Sequence, residues 1–180
     1  SWSLGTSVTK EEESEHVKEV YAQFGLAVYF AQVLEHQVVN SLVILDLIPT
    51  RRHLARSPDE WGVLVEDFMD RHFKRTLGAL IGTLATVTSV PAGLADRLDA
   101  ALLKRNWLAH AYFRERSGSF LSEVGRWQML EELHACRELF SSVDRELTEL
   151  VEPLFEKAGL TADIQAREYE RFVKESRGNA

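Results

Sequence analysis

Residues 10–47 read KEEESEHVKEVYAQFGLAVYFAQVLEHQVVNSLVILDL, and this stretch decides the fold. Its apolar residues recur at spacings of three and four, which predicts one long amphipathic helix with Thr9 as its N-cap and an end before Pro49. Glutamates occupy residues 11–13, where the helix dipole favours negative charge. From Phe24 onward apolar residues cover more than one face. We therefore expect burial on two sides, one of which a second subunit could supply.

The rest of the chain predicts further helices. We expect them at about 59–73, 75–87, 91–114, 122–157 and 161–176. Loops are expected at 49–58 and 117–119, and Pro153 should kink or interrupt its helix. The 180 residues hold few Pro and Gly and no internal repeat. The sequence predicts an all-α, single-domain helical bundle with long first and penultimate helices. Its core would span about 10–157, with the C-terminal helix packed on it or on a partner.

Composition favours a soluble protein of the cytoplasm. Cys136 is the only cysteine, so an intrachain disulfide is impossible and a reducing compartment is the simplest location. No signal peptide is recognised at the N-terminus. The most apolar stretch, 24–48, contains charged residues such as Glu35 and Asp46, which are costly in lipid. We therefore expect no membrane segment.

Charge is distributed unevenly along the chain. The net charge is −7, yet residues 51–116 carry 11 Lys/Arg against 8 Asp/Glu, a net charge of +3. Ordinary solvated helix faces could produce such a pattern. A local basic surface on an acidic protein is also compatible with a confined phosphate-binding site.

Residues 104–113 read KRNWLAHAYF and lie near the end of the helix predicted at 91–114. At 100° per residue, Asn106 and His110 stand about 40° apart and share one face. Arg105 lies about 140° from His110, so the two side chains would meet more naturally across a subunit interface than within one chain. The sequence therefore favours a dimeric site.

These residue types suit the cleavage of a phosphodiester. A guanidinium holds phosphate oxygens through a fork of donors, and a histidine can take or give a proton at neutral pH. An amide beside them can orient the phosphate or the imidazole. Because RNA carries its own nucleophile in the 2′-hydroxyl, an enzyme needs only a base, an acid and charge stabilisation. Such a site requires no metal and no cofactor.

At these residues the chain resembles the HEPN superfamily of all-α domains. Arg105, Asn106 and His110 match its R-N-x-x-x-H signature, and the likeness extends to the long-helix plan of about 10–157. The resemblance implies a metal-independent endoribonuclease that leaves a 2′,3′-cyclic phosphate and a 5′-hydroxyl. It also implies a homodimer through the long helices that completes a composite cleft. Several family members act as toxins or in phage defence, so an antitoxin or other partner protein is a further expectation.

Four other residues are candidate RNA contacts. Tyr29 could stack a base and His36 could line the cleft, as part of a polar stripe on the first helix with Gln32 and Asn40. Tyr112 and Arg114 follow the motif and could contact the RNA backbone. Each has a plain structural alternative. The stripe could be a solvated face, and the residues after the motif a polar helix end that the dipole favours.

The sequence also allows two functions other than a nuclease: a metal-binding bundle and a non-catalytic binding module. A di-iron bundle needs Glu-x-x-His pairs with two further glutamates, and Glu13–His16 and Glu131–His134 have that spacing. Both pairs fall in glutamate-rich helical stretches where the spacing arises easily, so we predict no metal site. The other alternative is a non-catalytic helical module or scaffold that binds RNA or protein.

Overall fold

The computed structural model describes residues 9–157, which are helical apart from short connections and contain no strand. The all-α helical bundle predicted from the sequence is thus confirmed. The helix expected at 161–176 lies outside the described residues. Helix α1 spans Lys10–Leu42 and α8 spans Glu123–Lys157, so the two long helices are those expected.

Helix α1 begins where the capping residues predict. The Thr9 hydroxyl accepts a hydrogen bond from the Glu12 backbone N–H at 3.2 Å, and the Glu12 carboxylate accepts one from the Thr9 backbone N–H at 2.8 Å. This capping box satisfies two backbone donors that the first turn leaves free. The hydrogen bond from the Thr9 backbone holds the pKa of Glu12 below its usual value.

Helix α1 ends at Leu42, before Pro49 as predicted, but the expected loop does not follow it. The chain continues through a π-helical turn at Val43–Leu47, helix α2 at Ile48–Arg51 and a 3₁₀ turn at Arg52–Leu54. Pro49 is the second residue of α2, a position at which a helix needs no backbone donor. The Thr50 hydroxyl donates to the Asp46 carbonyl at 2.6 Å across this junction.

The middle of the chain follows the prediction more closely. Helix α3 spans Pro58–Phe73 with Ser57 as N-cap, and α4 spans Leu77–Val87 with Thr76 as N-cap. In each case the hydroxyl accepts from a backbone N–H in the first turn. Residues 49–58, expected to be a loop, are therefore largely helical and lead directly into α3.

The predicted helix 91–114 is divided. Helix α5 spans Ala92–His110, and α6 spans Tyr112–Glu115. The break is at Ala111, whose φ of −133° and ψ of −21° are not helical. The expected loop at 117–119 contains the single turn α7, Ser117–Phe120.

Helix α1 is the centre of the bundle. It packs along α8 and contacts α3, α4 and α5. The largest fully buried side chains come from all of these helices except α3, and they include Leu34, Leu80, Leu98, Phe140 and Leu147. Burial on more than one side of α1 explains why its apolar residues exceed a single stripe.

The N-terminal part of the chain includes one helix long and apolar enough to cross a membrane, judged by length and composition alone. It is the continuous helical run at 10–54, and 39% of its apolar window is buried inside the bundle. The core helix of a soluble protein has the same properties, so the structure is compatible with solubility.

One buried charge links the first turns of α1 to the start of α8. Arg126 is 3% exposed, and its guanidinium donates to the Phe120 carbonyl at 3.1 Å and to Nδ1 of His16 at 3.4 Å. Glu13 lies 3.8 Å from the same guanidinium. Because the His16 Nδ1 accepts, Nε2 carries the ring proton, and this buried atom has no hydrogen-bond partner among residues 9–157.

Candidate functional site

Arg105 lies on α5 and pairs with a glutamate on α1. Its Nε–H donates to Oε1 of Glu35 at 2.8 Å, and its Nη1 donates to Oδ1 of Asn106 at 3.1 Å. Both members of the ion pair are partly buried. The pair fixes one edge of the guanidinium, and Nη2 makes no hydrogen bond to any residue in 9–157. Arg105 is thus a positioned donor with part of its fork still open.

A cavity of about 180 Å³ lies between α1 and α5 beside this ion pair. Apolar side chains of Val28, Ala31 and Leu108 line it together with polar groups from Gln32, Glu35 and Arg105. Apolar walls with a few converging polar groups are typical of small binding sites. The cavity has room for a group the size of a phosphate.

His110 is the last residue of α5 and is exposed. It does not line the cavity, although its neighbour Ala109 does. Within residues 9–157 its side chain makes no hydrogen bond, ion pair or ring contact. The structure therefore pairs Arg105 with Asn106 and leaves His110 outside the cavity, and the angle of about 140° between Arg105 and His110 on the helix predicts the separation of these two.

The candidates on α1 are accessible. Tyr29 is 58% exposed and makes an edge-on contact with Phe30, while the His36 ring lies 4.5 Å from that of Phe73 on α3. Gln32 and Asn40 are exposed as well, so the polar stripe lies at the surface. Gln32 alone among these residues lines the Arg105 cavity. Arg114 on α6 is exposed.

Tyr112 is a core residue, and the prediction that it contacts RNA was wrong. It is 1% exposed, its hydroxyl donates to the Met129 carbonyl at 3.2 Å, and its ring contacts those of Phe24 and Trp107. Burial, and secondarily the nearby Glu132 carboxylate, raises the pKa of Tyr112. Tyr112 follows the buried Leu108 by four residues, so it continues the apolar face of α5 despite the break at Ala111.

Glu35 is the site residue that sequence reasoning missed as a partner of Arg105. A signal was present, because Glu35 is a carboxylate within the most apolar stretch of the chain. A charge in such a position needs a partner to be tolerated. Which of the many basic residues supplies that partner depends on how α1 and α5 pack.

No group of three His, Cys, Asp or Glu side chains that could hold a metal ion occurs in the part of the chain that the structure describes. Of the di-iron pairs, Glu13 and His16 face the Arg126 guanidinium, and His134 contacts Arg137. An arginine therefore lies beside the histidine of each Glu-x-x-His pair, where a metal ion would have to bind.

We find no protein-family model, no curated protein and no solved structure that matches this chain.

Proposed function

We propose that this chain is a metal-independent endoribonuclease of the HEPN type, with Arg105, Asn106 and His110 as its catalytic set. The observation that carries the proposal is the placement of the R-N-x-x-x-H residues on α5. Arg105 borders a cavity with an open edge of its guanidinium, and His110 is exposed and directly follows Ala109, which lines that cavity. A sealed imidazole or an Arg105 directed to bulk solvent would not support it.

The proposed reaction is a transesterification within RNA. The 2′-oxygen attacks the phosphorus while a base takes its proton, and the bond from phosphorus to the 5′-oxygen breaks as an acid protonates that oxygen. The products are a 2′,3′-cyclic phosphate and a 5′-hydroxyl. His110 serves as base or acid, Arg105 stabilises charge on the phosphate oxygens, and Asn106 positions the phosphate.

A homodimer through the long helices completes the proposed site. Glu35 holds Arg105 against α1, and His110 lies at the far end of the last turn of α5. Arg105 cannot turn toward His110 without breaking its ion pair with Glu35. Two copies related by a two-fold axis would supply Arg105 from one chain and His110 from the other. A cytoplasmic protein of this activity would need restraint, and an antitoxin-like partner is part of the proposal.

The test is cleavage of a mixed RNA pool in EDTA by the purified protein and its variants. We expect His110→Ala and Arg105→Ala each to reduce cleavage at least about 100-fold, the scale of a lost acid–base group or charge stabiliser. His134→Ala and Arg145→Ala change the same residue types on exposed positions of α8 and should retain full activity. Activity that disappears in EDTA, or survives both site substitutions, contradicts the mechanism.

Mixing the two inactive variants tests the composite site. A heterodimer of Arg105→Ala and His110→Ala chains still holds one intact Arg105 and one intact His110, on different subunits. Cleavage should return in the mixture if the two residues act across the interface. A site contained within one chain would stay inactive in every combination, which would refute the dimeric arrangement.

The alternative is a non-catalytic helical module or scaffold that binds RNA or protein. The Glu35 carboxylate favours it, because it offsets the Arg105 charge that a phosphate would need. Glu35→Gln separates the two functions. In a nuclease the substitution should alter the cleavage rate, whereas a module that only binds should show no turnover with or without it.

A further inference from the structure

A second pocket lies at the opposite end of the basic segment, around the C-terminal end of α3. It is open to solvent, has a volume of about 600 Å³, and is independent of the Arg105 cavity, with which it shares no lining residue. The turn that follows α1 and the end of α3 supply its polar lining. These residues are Asp46, Thr50, Arg51, Arg71, His72 and Arg75.

The pocket carries excess positive charge. Three guanidinium groups face a single carboxylate, that of Asp46, which leaves a net charge of +2 without any contribution from His72. The C-terminal end of α3 adds only about half a negative charge from the helix dipole, and only within the last turn. Three full charges outweigh it, so the pocket favours an anion.

The three arginines lack the partners that other arginines in the bundle have. Within residues 9–157, Arg51, Arg71 and Arg75 form no ion pair. Four arginines elsewhere each face a glutamate at 4 Å or less: Arg97, Arg105, Arg116 and Arg126. The charge in the pocket is therefore not neutralised by the protein itself.

Two of these guanidinium groups are nevertheless held in place. Nε of Arg71 donates to the Asp67 carbonyl at 3.0 Å, and Nη2 of Arg75 donates to the Ala79 carbonyl at 3.2 Å. Each bond uses one of five N–H donors and leaves the rest of the fork for a ligand. Groups fixed before binding lose less freedom when an anion arrives.

His72 adds a directional group. Its Nδ1 lies 2.7 Å from the Phe68 carbonyl, which can only accept, so Nδ1 carries a proton, and Nε2 donates to an anion when the ring also carries its second proton. The imidazole also stacks on the Phe68 ring, with centroids 3.9 Å apart. The ring is thereby fixed in orientation at the wall of the pocket.

We propose that the pocket formed by Arg51, Arg71 and Arg75 is a phosphate-binding site. Planar guanidinium forks match the oxygens of a phosphate in pairs, and a net charge of +2 favours ligands with two or three negative charges, such as a phosphate monoester, two adjacent backbone phosphodiesters or a pyrophosphate. The ligand is either a small phosphate compound or the backbone of RNA. This site goes beyond the proposed nuclease function and does not depend on it.

Calorimetric titration with pyrophosphate at low salt tests the site. Each of Arg71→Gln and Arg75→Gln should weaken binding about tenfold, the size of one charge-assisted hydrogen bond. Both side chains are exposed, so the variants should fold, and circular dichroism checks that they do. Arg145→Gln removes the same charge from an exposed position of α8 and should bind pyrophosphate as the unmodified protein does.

A second titration identifies the source of the phosphate. A 2′-O-methyl RNA strand with a 5′-hydroxyl carries only backbone phosphates and cannot be cleaved, so nuclease activity does not affect the result. Competition between this strand and pyrophosphate assigns the pocket to RNA, and failure to compete assigns it to a small phosphate compound. Pyrophosphate that does not bind, or that binds the Arg71→Gln/Arg75→Gln double variant with unchanged affinity, overturns the proposal.

Discussion

Gly125 lies where α8 passes closest to the backbone of α7. A Cβ at this position would be 2.6 Å from the carbonyl carbon of Ser119, far inside contact distance. The obstacle is backbone rather than a side chain that could rotate away. The absence of a side chain at residue 125 therefore allows the turn of α7 to pack against the first turns of α8.

We predict that Gly125→Ala lowers the free energy of unfolding by about 1–3 kcal/mol, because the added methyl overpacks the contact. Gly62→Ala on α3 is the matched control, since a Cβ there meets nothing within 4 Å. That substitution should raise stability by about 0.5–1 kcal/mol through helix propensity. Urea denaturation measures both. Equal effects of the two substitutions would contradict the steric account.

Asp144 on α8 is half-buried, and burial raises the pKa of its carboxyl. A group whose pKa is raised on folding stabilises the fold below its unfolded pKa, and this contribution is lost as pH rises through the folded pKa. Asp144→Asn mimics the protonated form. We therefore expect a higher Tm than the unmodified protein at pH 7, with the difference shrinking below about pH 4.

The control for Asp144 is Glu149→Gln, an exposed carboxylate on the same helix. It should leave the dependence of Tm on pH unchanged. An Asp144→Asn protein whose Tm differs from that of the unmodified protein by the same amount at every pH would show that burial of the charge is not the cause.

At the scale of single elements, most helix bounds could be predicted, including the ends of α3 at Phe73 and of α4 at Val87, and the exceptions lie near Pro49 and Ala111. The N-cap at Thr9 could be read directly, because capping depends on residues within one turn. Pro49 was read as a stop and Pro153 as a kink or interruption, yet helical structure runs through both. A proline costs a helix up to about 3 kcal/mol locally, and packing of Leu147 and Val151 in the bundle offsets that cost around Pro153.

The capping box gives a prediction for α1. Thr9→Ala removes the hydroxyl that accepts from Glu12 and should cost about 1 kcal/mol of unfolding free energy, measured as a lower urea midpoint at constant m-value. Thr9→Ser keeps the acceptor and should fall within a few tenths of a kcal/mol of the unmodified protein. An unchanged midpoint in Thr9→Ala would mean that this first turn is not part of the cooperative unit.

At the scale of the whole molecule, the bundle could be predicted but the surroundings of the site could be predicted only in part. Helical periodicity correctly kept Arg105 and His110 apart, since both lie on one continuous helix. The pairing of Arg105 with Glu35 joins residues 70 positions apart and depends on tertiary packing. Tyr112 was misplaced because it was grouped with Arg114 by its closeness to the motif, although its spacing of four residues from Leu108 continues the buried face of α5.

The proposed homodimer makes a prediction about association. Tyr29 is an exposed aromatic residue on α1, next in sequence to Val28, which lines the cavity between α1 and α5. Tyr29→Glu should shift the protein toward the mass of one chain in analytical ultracentrifugation, because a charge buried in an interface without a partner is costly. Val63→Glu, on an equally exposed position of α3, should not. A Tyr29→Glu protein that stays dimeric would exclude this face as the interface.

The Arg126 contact has a consequence for how the chain can be shortened or fused. Deleting residues up to 16 removes both the imidazole and the carboxylate that face this guanidinium. The Phe120 carbonyl is then the one partner left to Arg126 among those described above. The loss of stability would then appear 110 positions along the chain, as loosening of the turn before α8. A variant that lacks residues up to 16 should therefore also carry an apolar residue in place of Arg126.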